Sequence, residues 1–438
     1  MPTDPAAGPP RQAAVANPPP PVARPVAFVI TRGDSIGGAQ IHVRDLAARL
    51  VADGDNAVVL VGTTGPFTRA LTARGVRWRI CPGLARNINP LRDVRAIREV
   101  HRALLIERPR LVSCHTAKAG LVGRLAACWT GIPSLFTAHG WQFTPGIPPA
   151  QRLLVYTLEL LLSRLPTVRV GSSTPRRSST PPSASPSRGS SPPRVITVSR
   201  YDLRLARRTA AVPARGLRLV YNGLPEVAPA TAPSPRVPTV VMVARFQAQK
   251  DHASLLRGLA SVPGPWRCRF VGEAGPLFDD VFELARALRC VTVSAEGLPA
   301  PAASGVEPDG ADDLRTVEFL GHRDDVAAIL ADADVYCLIS HWEGLPRSII
   351  EAMRACLPVV ASDVGGVNEL VRHGHTGILV PPRGVSQIAT ALSSLIGSRT
   401  LRQTLGAAAR SRYESLFTFE AMYRHTRAVW NELTPPTS

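Results

Sequence analysis

The 438-residue chain has no apolar run approaching the roughly 18 residues that a membrane-spanning helix needs, which excludes a bundle of membrane helices. It does not open with a basic segment followed by an apolar one, so a secretory leader is not expected. Its seven cysteines are scattered and never fall as Cys-x-x-Cys. That argues against a zinc site and a disulfide framework, and it fits a reducing cytoplasm. Aromatic residues make up only 5% of the chain, and no helix-turn-helix, zinc-finger or RNP-like pattern is visible. No nucleic-acid partner is expected.

Acidic residues are scarce in one half only. Residues 26–222 hold 29 Lys/Arg against 9 Asp/Glu, whereas residues 223–438 hold 20 against 23. Such asymmetry points to an anionic partner for the N-terminal half. An anionic membrane surface is a better candidate than nucleic acid, because a basic residue near it contributes about 1 kcal/mol. High Arg usage with no partner at all is the plain alternative.

The length exceeds one ordinary core, and a hydrophobic content of 45% with mean hydropathy +0.05 fits a globular α/β protein of two domains. Residues 1–25 are rich in Pro and Ala and read as a disordered tail. From Val26 the pattern alternates. Val26–Ile30, Ala57–Val61, Val76–Ile80, Leu111–Cys114, Ile132–Thr137, Arg194–Ser199 and Leu217–Tyr221 read as strands. Helices are expected over Ile41–Val51, Phe67–Arg74, Leu91–Glu107, Leu121–Trp129 and 151–165. The last of these, QRLLVYTLELLLSRL, is very apolar and reads as a core helix, with a helix dipping into a membrane interface as the alternative.

Residues 166–193 break the alternation with a Ser/Pro/Arg-rich stretch expected to be disordered. Residues 26–223 thus form a first domain, 224–238 a Pro/Ala linker, and 239–433 a second domain. The second domain alternates in the same way, through Val240–Val243, Arg269–Gly272, Val317–Gly321 and the helix Val326–Ala331, and ends in a helical tail from Leu401 to Leu433. The expected fold class is α/β, two doubly wound, Rossmann-like domains with parallel sheets.

Ligands of such sheets bind beyond the carboxyl ends of the strands. There the first domain offers TRGDSIGGAQ, where Gly37 and Gly38 hold no side chain between backbone and ligand, and FTAHGW, where His139 leaves a strand beside a glycine. The second offers ARFQAQKDH, with Arg245 and Lys250 flanking a helix start, where cations and helix N–H groups can neutralise a diphosphate. It also offers SHWEGLPRSIIEAM, after the buried strand Asp334–Ile339. Glu343 lies in a turn with Gly344 and Leu345, Pro346 suits the first turn of a helix, and Glu351 lies within that helix. His115 and Lys118 also sit at a strand end, with no role assigned. Asp332 and Asp334 have the spacing of a metal pair but fit a helix-to-strand turn better.

Two glutamates separated by seven residues, in WEGLPRSIIEAM followed by PVVASDVGGVNELV, resemble the signature of retaining glycosyltransferases of GT-B architecture, most closely family 4. The GG loop, FTAHGW, VYNGL and the Arg245/Lys250 pair resemble companion segments of that family. The resemblance implies a nucleotide-sugar donor, UDP- or GDP-linked, with no separate cofactor and no metal. It places Arg245 and Lys250 on the donor diphosphate, Glu351 on the ribose, and Glu343 and His139 beside the donor sugar. Gly37, Gly38, Gly344 and Leu345 complete the donor site. The expected acceptor is a surface polysaccharide or lipid-linked oligosaccharide, and cysteine usage with the basic first domain sets the expected location in the cytoplasm, peripheral to the inner face of the plasma membrane. Residues 166–193 and 289–313 depart from the family as insertions. A GT-B epimerase of UDP-sugars is one competing reading, although its motifs differ. A non-catalytic membrane-surface binder on the same fold is another.

Overall fold

In the computed structural model, residues 24–85, 89–141, 143–144, 146–165, 194–227, 237–294 and 315–435 are described. The tail through residue 23, the stretch 166–193, most of the linker and residues 295–314 lie outside them, and with them the expectations placed there.

The first sheet contains β1 (Val26–Ile30), β2 (Ala57–Val61), β3 (Arg77–Ile80), β4 (Leu111–Cys114), β5 (Ser134–Ala138), β6 (Val195–Thr197) and β7 (Leu217–Leu219). Their order is β3-β2-β1-β4-β5-β6-β7. Strands β1, β2 and β4 are buried along their whole length, which is why they read as unbroken apolar runs rather than alternating ones. Helices α1 (Gly38–Ala52) and α2 (Pro66–Thr72) pack on one face. Helices α3 (Pro90–Glu107), α4 (Ala117–Thr130), α5 (Pro149–Leu162) and α6 (Arg200–Arg208) lie on the other.

The second sheet contains β8 (Thr239–Val243), β9 (Trp266–Val271), β10 (Val291–Ser294), β11 (Arg315–Phe319), β12 (Val335–Leu338), β13 (Val359–Ser362) and β14 (Gly377–Val380), ordered β10-β11-β9-β8-β12-β13-β14. All strand pairings among the described residues are parallel. Its helices are α7 (His252–Ala260), α8 (Phe278–Ala287), α9 (Val326–Ala331), α10 (Arg347–Arg354), α11 (Val367–Leu370), α12 (Val385–Gly397) and α13 (Arg399–Leu416).

The final helix, α14 (Phe419–Leu433), crosses back to the first sheet. Met422, Tyr423 and Trp430 are buried against β1 and α1, with the Trp430 ring 5.8 Å from Phe28. Tyr423 donates to Asp53 at 2.6 Å and Arg427 donates to Asp55 at 3.0 Å. By packing, this helix belongs to the first domain although it follows the second in sequence.

Two expectations are corrected. Val291–Ser294, assigned to an insertion, pairs with β11 as the edge strand β10. Helix α5 is not a core helix: Leu153, Leu154 and Leu161 are 66%, 46% and 61% exposed, and of its residues only Glu159 and Leu162 are buried. Val155 and Tyr156 pack against the core beneath, and polar contacts add to the hold on α5. Arg124 of α4 forms a buried bidentate pair with Glu159 at 2.8 and 2.7 Å, and Tyr156 donates to the Thr209 carbonyl at 2.8 Å. Satisfied buried charges anchor the inner face and leave the leucines outward.

Candidate functional site

Each sheet reverses its winding once, between β1 and β4 in the first and between β8 and β12 in the second. Crevices open at such switch points, beyond the carboxyl ends of the strands. The segments after β1, β4 and β5 carry Gly37–Gly38, His115 and His139, and the segments after β8 and β12 carry Arg245–Lys250 and Glu343. The two sets meet. A Cβ on Gly344 would lie 3.1 Å from both the Gly140 Cα and the His139 carbonyl oxygen, and 3.5 Å from an Asp202 carboxylate oxygen. A Cβ on Gly38 would lie 3.1 Å from the Cδ of Arg347. Glycine at 38 and 344 therefore allows the two domains this close an approach.

On the second domain, Glu343 is buried and ion-paired with Lys250. Gln249 donates its amide to the Trp342 carbonyl at 2.7 Å and to the Glu343 carboxylate at 3.3 Å. The backbones hold these side chains together. Lys250 bridges Ser340, His341 N–H reaches the Gln249 carbonyl at 2.9 Å, and Asp251 N–H reaches the Ile339 carbonyl at 2.9 Å. Behind the turn, Gly366 N–H bonds the Gly344 carbonyl at 3.0 Å, and a Cβ on Gly365 would fall 1.8 Å from the Glu343 carbonyl oxygen. Leu345 is buried, and burial raises the Glu351 carboxyl above its ordinary range against the opposing pull of Arg347 and Arg354. Arg245 is exposed and, among the described residues, makes no ion pair.

On the first domain, Gly37 caps α1 with its N–H bonded to the Gln40 side chain at 3.2 Å. His139 shares its surroundings with His42 of α1 and His115. The His42 and His139 rings are 4.8 Å apart, His42 and His115 5.2 Å, and His115 and His139 5.7 Å. Burial, and then the Arg347 guanidinium, push the His139 imidazole down to about 3, so it is a neutral hydrogen-bonding group near pH 7. His115 is tied through Nε2 to Ser113 at 2.9 Å. One nitrogen from each ring lies within 4.8 Å of the other two, a donor set that suits a transition-metal ion by ligand type.

The structure thus gathers Glu343, Gly344 and Leu345 in one turn, brings Lys250 from the segment after β8 against it, and sets His139, Gly37 and Gly38 opposite. Lys118 is instead ion-paired with Asp93, and Asp334 accepts from Thr239 N–H at 2.9 Å at the opposite end of β12. Residues absent from the sequence reading are Gln249, His42, Arg347, Asp202 and Glu369. Glu369 accepts from the N–H groups of Arg200 and Tyr201 at 2.7 and 2.6 Å and from the Tyr221 hydroxyl at 3.0 Å. It caps a helix of the other domain. A carboxylate directly after VGGVN gives no such signal in sequence.

Two parallel α/β domains apposed at their switch points, with the last helix returned to the first domain, define a GT-B protein. The Anabaena protein HepE, solved in complex with UDP and glucose, superposes with a TM-score of 0.72 at 19% identity, covering 94% of this chain and all of that one. The first domain matches the family described as glycosyl transferase 4-like over residues 37–178, and the second matches glycosyl transferases group 1 over residues 237–398. Between them these matches span the greater part of the chain, which belongs to the group 1, or family 4, glycosyltransferases. Among curated relatives, an Escherichia coli UDP-Gal:alpha-D-GlcNAc-diphosphoundecaprenol alpha-1,3-galactosyltransferase is 24% identical over 351 residues, 77% of this chain and 79% of its own. A Mycobacterium leprae phosphatidyl-myo-inositol mannosyltransferase is 33% identical over 194 residues, 43% of this chain and 46% of its own.

Proposed function

We propose that the protein transfers a hexosyl or N-acetylhexosaminyl group, with retention and without a divalent metal, from a UDP- or GDP-sugar to a surface polysaccharide or lipid-linked oligosaccharide. The observation that carries this reading is the apposition at Gly344. There the Glu343 turn of one domain, with Lys250 paired to it, meets His139–Gly140 of the other and brings a carboxylate, a cation and a neutral imidazole together.

In the reaction the bond between the sugar C1 and the diphosphate oxygen breaks, and the electron pair leaves with the diphosphate. The acceptor hydroxyl attacks C1 on the same face, and its proton passes to the departing phosphate. Lys250, Arg245 and the N-terminal end of α10 stabilise the charge that develops on the leaving group. Glu343, fixed by Lys250 and Gln249, supports positive charge at C1. His139 stands beside the donor sugar as a neutral partner, and Glu351 accepts from the ribose hydroxyls.

The acceptor class draws on the relatives' names, on the basic first domain, and on the outward leucines of α5. Leu91 and Ile106 of α3 and Trp129 of α4, in the same layer, are also exposed. An apolar face amid basic residues suits the surface of an anionic membrane. Among the described residues no helix is long and apolar enough to cross one.

The test is nucleotide release from UDP-, GDP- and ADP-sugars in EDTA, with and without membrane extract, beside Glu351→Ala. Acceptor-dependent release that falls at least tenfold in the variant supports the reading. Release from no donor by folded protein overturns it.

A further inference from the structure

Where the domains meet, five buried polar atoms have no partner among the described residues. They are Nδ1 of His42, Nδ1 of His115, Nε2 of His139, and Nε and Nη1 of Arg347. His42 and His115 are only 4% and 1% exposed. Their convergence follows from the fold. Gly38 and His42 share one face of α1, the Arg347 side chain lies over Gly38, and its charge is felt by both His42 and His139. Glu351 and Asp45 act on Arg347 from a distance, as do the like charges of Arg44 and Arg354, but among the described residues no acceptor meets its Nε or Nη1.

Orphaned buried polar groups are costly, and a cluster of them marks a place that something else completes. A metal ion would satisfy the three imidazoles but would add positive charge beside an unpaired guanidinium. An anionic oxygen group would satisfy all four side chains, accepting from the guanidinium fork and from imidazole N–H groups.

We propose that Arg347, His42, His115 and His139 form a subsite for a phosphate group within the cleft. The inference rests on the transferase reading, which supplies two sources for that group: the sugar-bearing phosphate of the donor, or a phosphate on the acceptor. Arg347 enters from the donor-side helix and the imidazoles from the first domain, so an occupied subsite ties the two domains together at the moment of transfer.

Calorimetric titration of the full chain with UDP, UMP, GDP, GMP and farnesyl diphosphate tests this, using unaltered protein, Arg347→Ala, Arg347→Lys and His115→Asn. A donor subsite makes Arg347→Ala weaken the preferred nucleoside diphosphate at least tenfold while its monophosphate stays within twofold. An acceptor subsite leaves the nucleotides unchanged and weakens farnesyl diphosphate at least tenfold. In either case Arg347→Lys is intermediate, His115→Asn weakens the same probe about threefold, and Arg347→Ala melts no lower than the unaltered protein, because it removes an unpaired buried charge. Equal loss for diphosphate and monophosphate, or no loss for any probe, overturns the subsite. So does micromolar binding of Zn2+ that His115→Asn abolishes and Arg347→Ala strengthens, which assigns the cluster to a metal. Nucleotide binding by the unaltered protein reports on the transferase reading, whereas the change on substitution reports on the subsite. Absence of binding to every phosphate probe overturns both.

Discussion

Replacing Asp202 by Asn should stabilise the protein at pH 8. Asp202 is fully buried beside Gly344, and burial pushes its carboxyl up from 3.8 to about 6 against the hydrogen bonds from Ser199 and Trp141, with Glu369 adding repulsion. An acid raised by that much is disfavoured as the anion by roughly 3 kcal/mol. Below about pH 4 both folded and unfolded chains are protonated at this site and the cost vanishes. Between 4 and 6 the unfolded chain ionises first, so stability falls as pH rises, and above 6 the full cost applies. Asn keeps the 2.7 Å bond from Ser199 Oγ and gives up the long 3.4 Å bond from Trp141 N–H, a loss of about 1 kcal/mol. The expected gain is therefore about 2 kcal/mol at pH 8, shrinking to roughly half a kcal/mol at pH 5. Trp141 donates its indole N–H to the Asp202 carbonyl at 2.9 Å, so its fluorescence in urea reports the region directly. A variant that gains nothing at pH 8, or gains equally at both pH values, refutes the argument that an anion is being held in a dry interface.

Other consequences follow from the same packing. Arg124→Met leaves Glu159 buried and unpaired, and should cost about 3–5 kcal/mol in thermal or urea unfolding, whereas Arg124→Met with Glu159→Leu recovers most of it. Gly365→Ala combines a φ of +58° with a Cβ 1.8 Å from the Glu343 carbonyl oxygen. Turnover should fall at least tenfold with a far smaller change in melting temperature, and unchanged turnover would contradict the placement of the Glu343 turn. Leu153→Ser with Leu161→Ser should abolish flotation with phosphatidylglycerol vesicles while leaving the fold intact; flotation that survives, or that never occurs and is insensitive to salt, removes the membrane face.

The sequence was informative where physics is local. Strands such as β1 and β2 are buried on both faces, so composition alone marks them. The Glu343 turn was legible because Gly344, Pro346 and the apolar face of α10 sit at fixed offsets. What sequence could not carry was which residues meet across the chain. Lys250 and Glu343 lie 93 positions apart, and nothing local in the sequence shows that they pair with each other. His42 lies within a segment expected only as a helix and gains meaning only where α1 places it against His115 and His139. In helix α5 leucine content does not mean burial, for Leu153, Leu154 and Leu161 face outward while Glu159 is buried in its pair with Arg124. The edge strand β10 was hidden by its short length and by the Gly/Pro/Ala-rich stretch after it.

The central claim is that this cleft moves a sugar and keeps its anomeric configuration. The most direct measurement takes the donor and acceptor identified by nucleotide release and reads the new glycosidic linkage by its proton NMR coupling constant, for the unaltered protein and for Glu343→Gln. The account predicts a linkage with the donor's own configuration, formed at least a hundredfold more slowly by the variant. An inverted linkage, free sugar in place of a glycoside, or a variant that keeps full rate would contradict it.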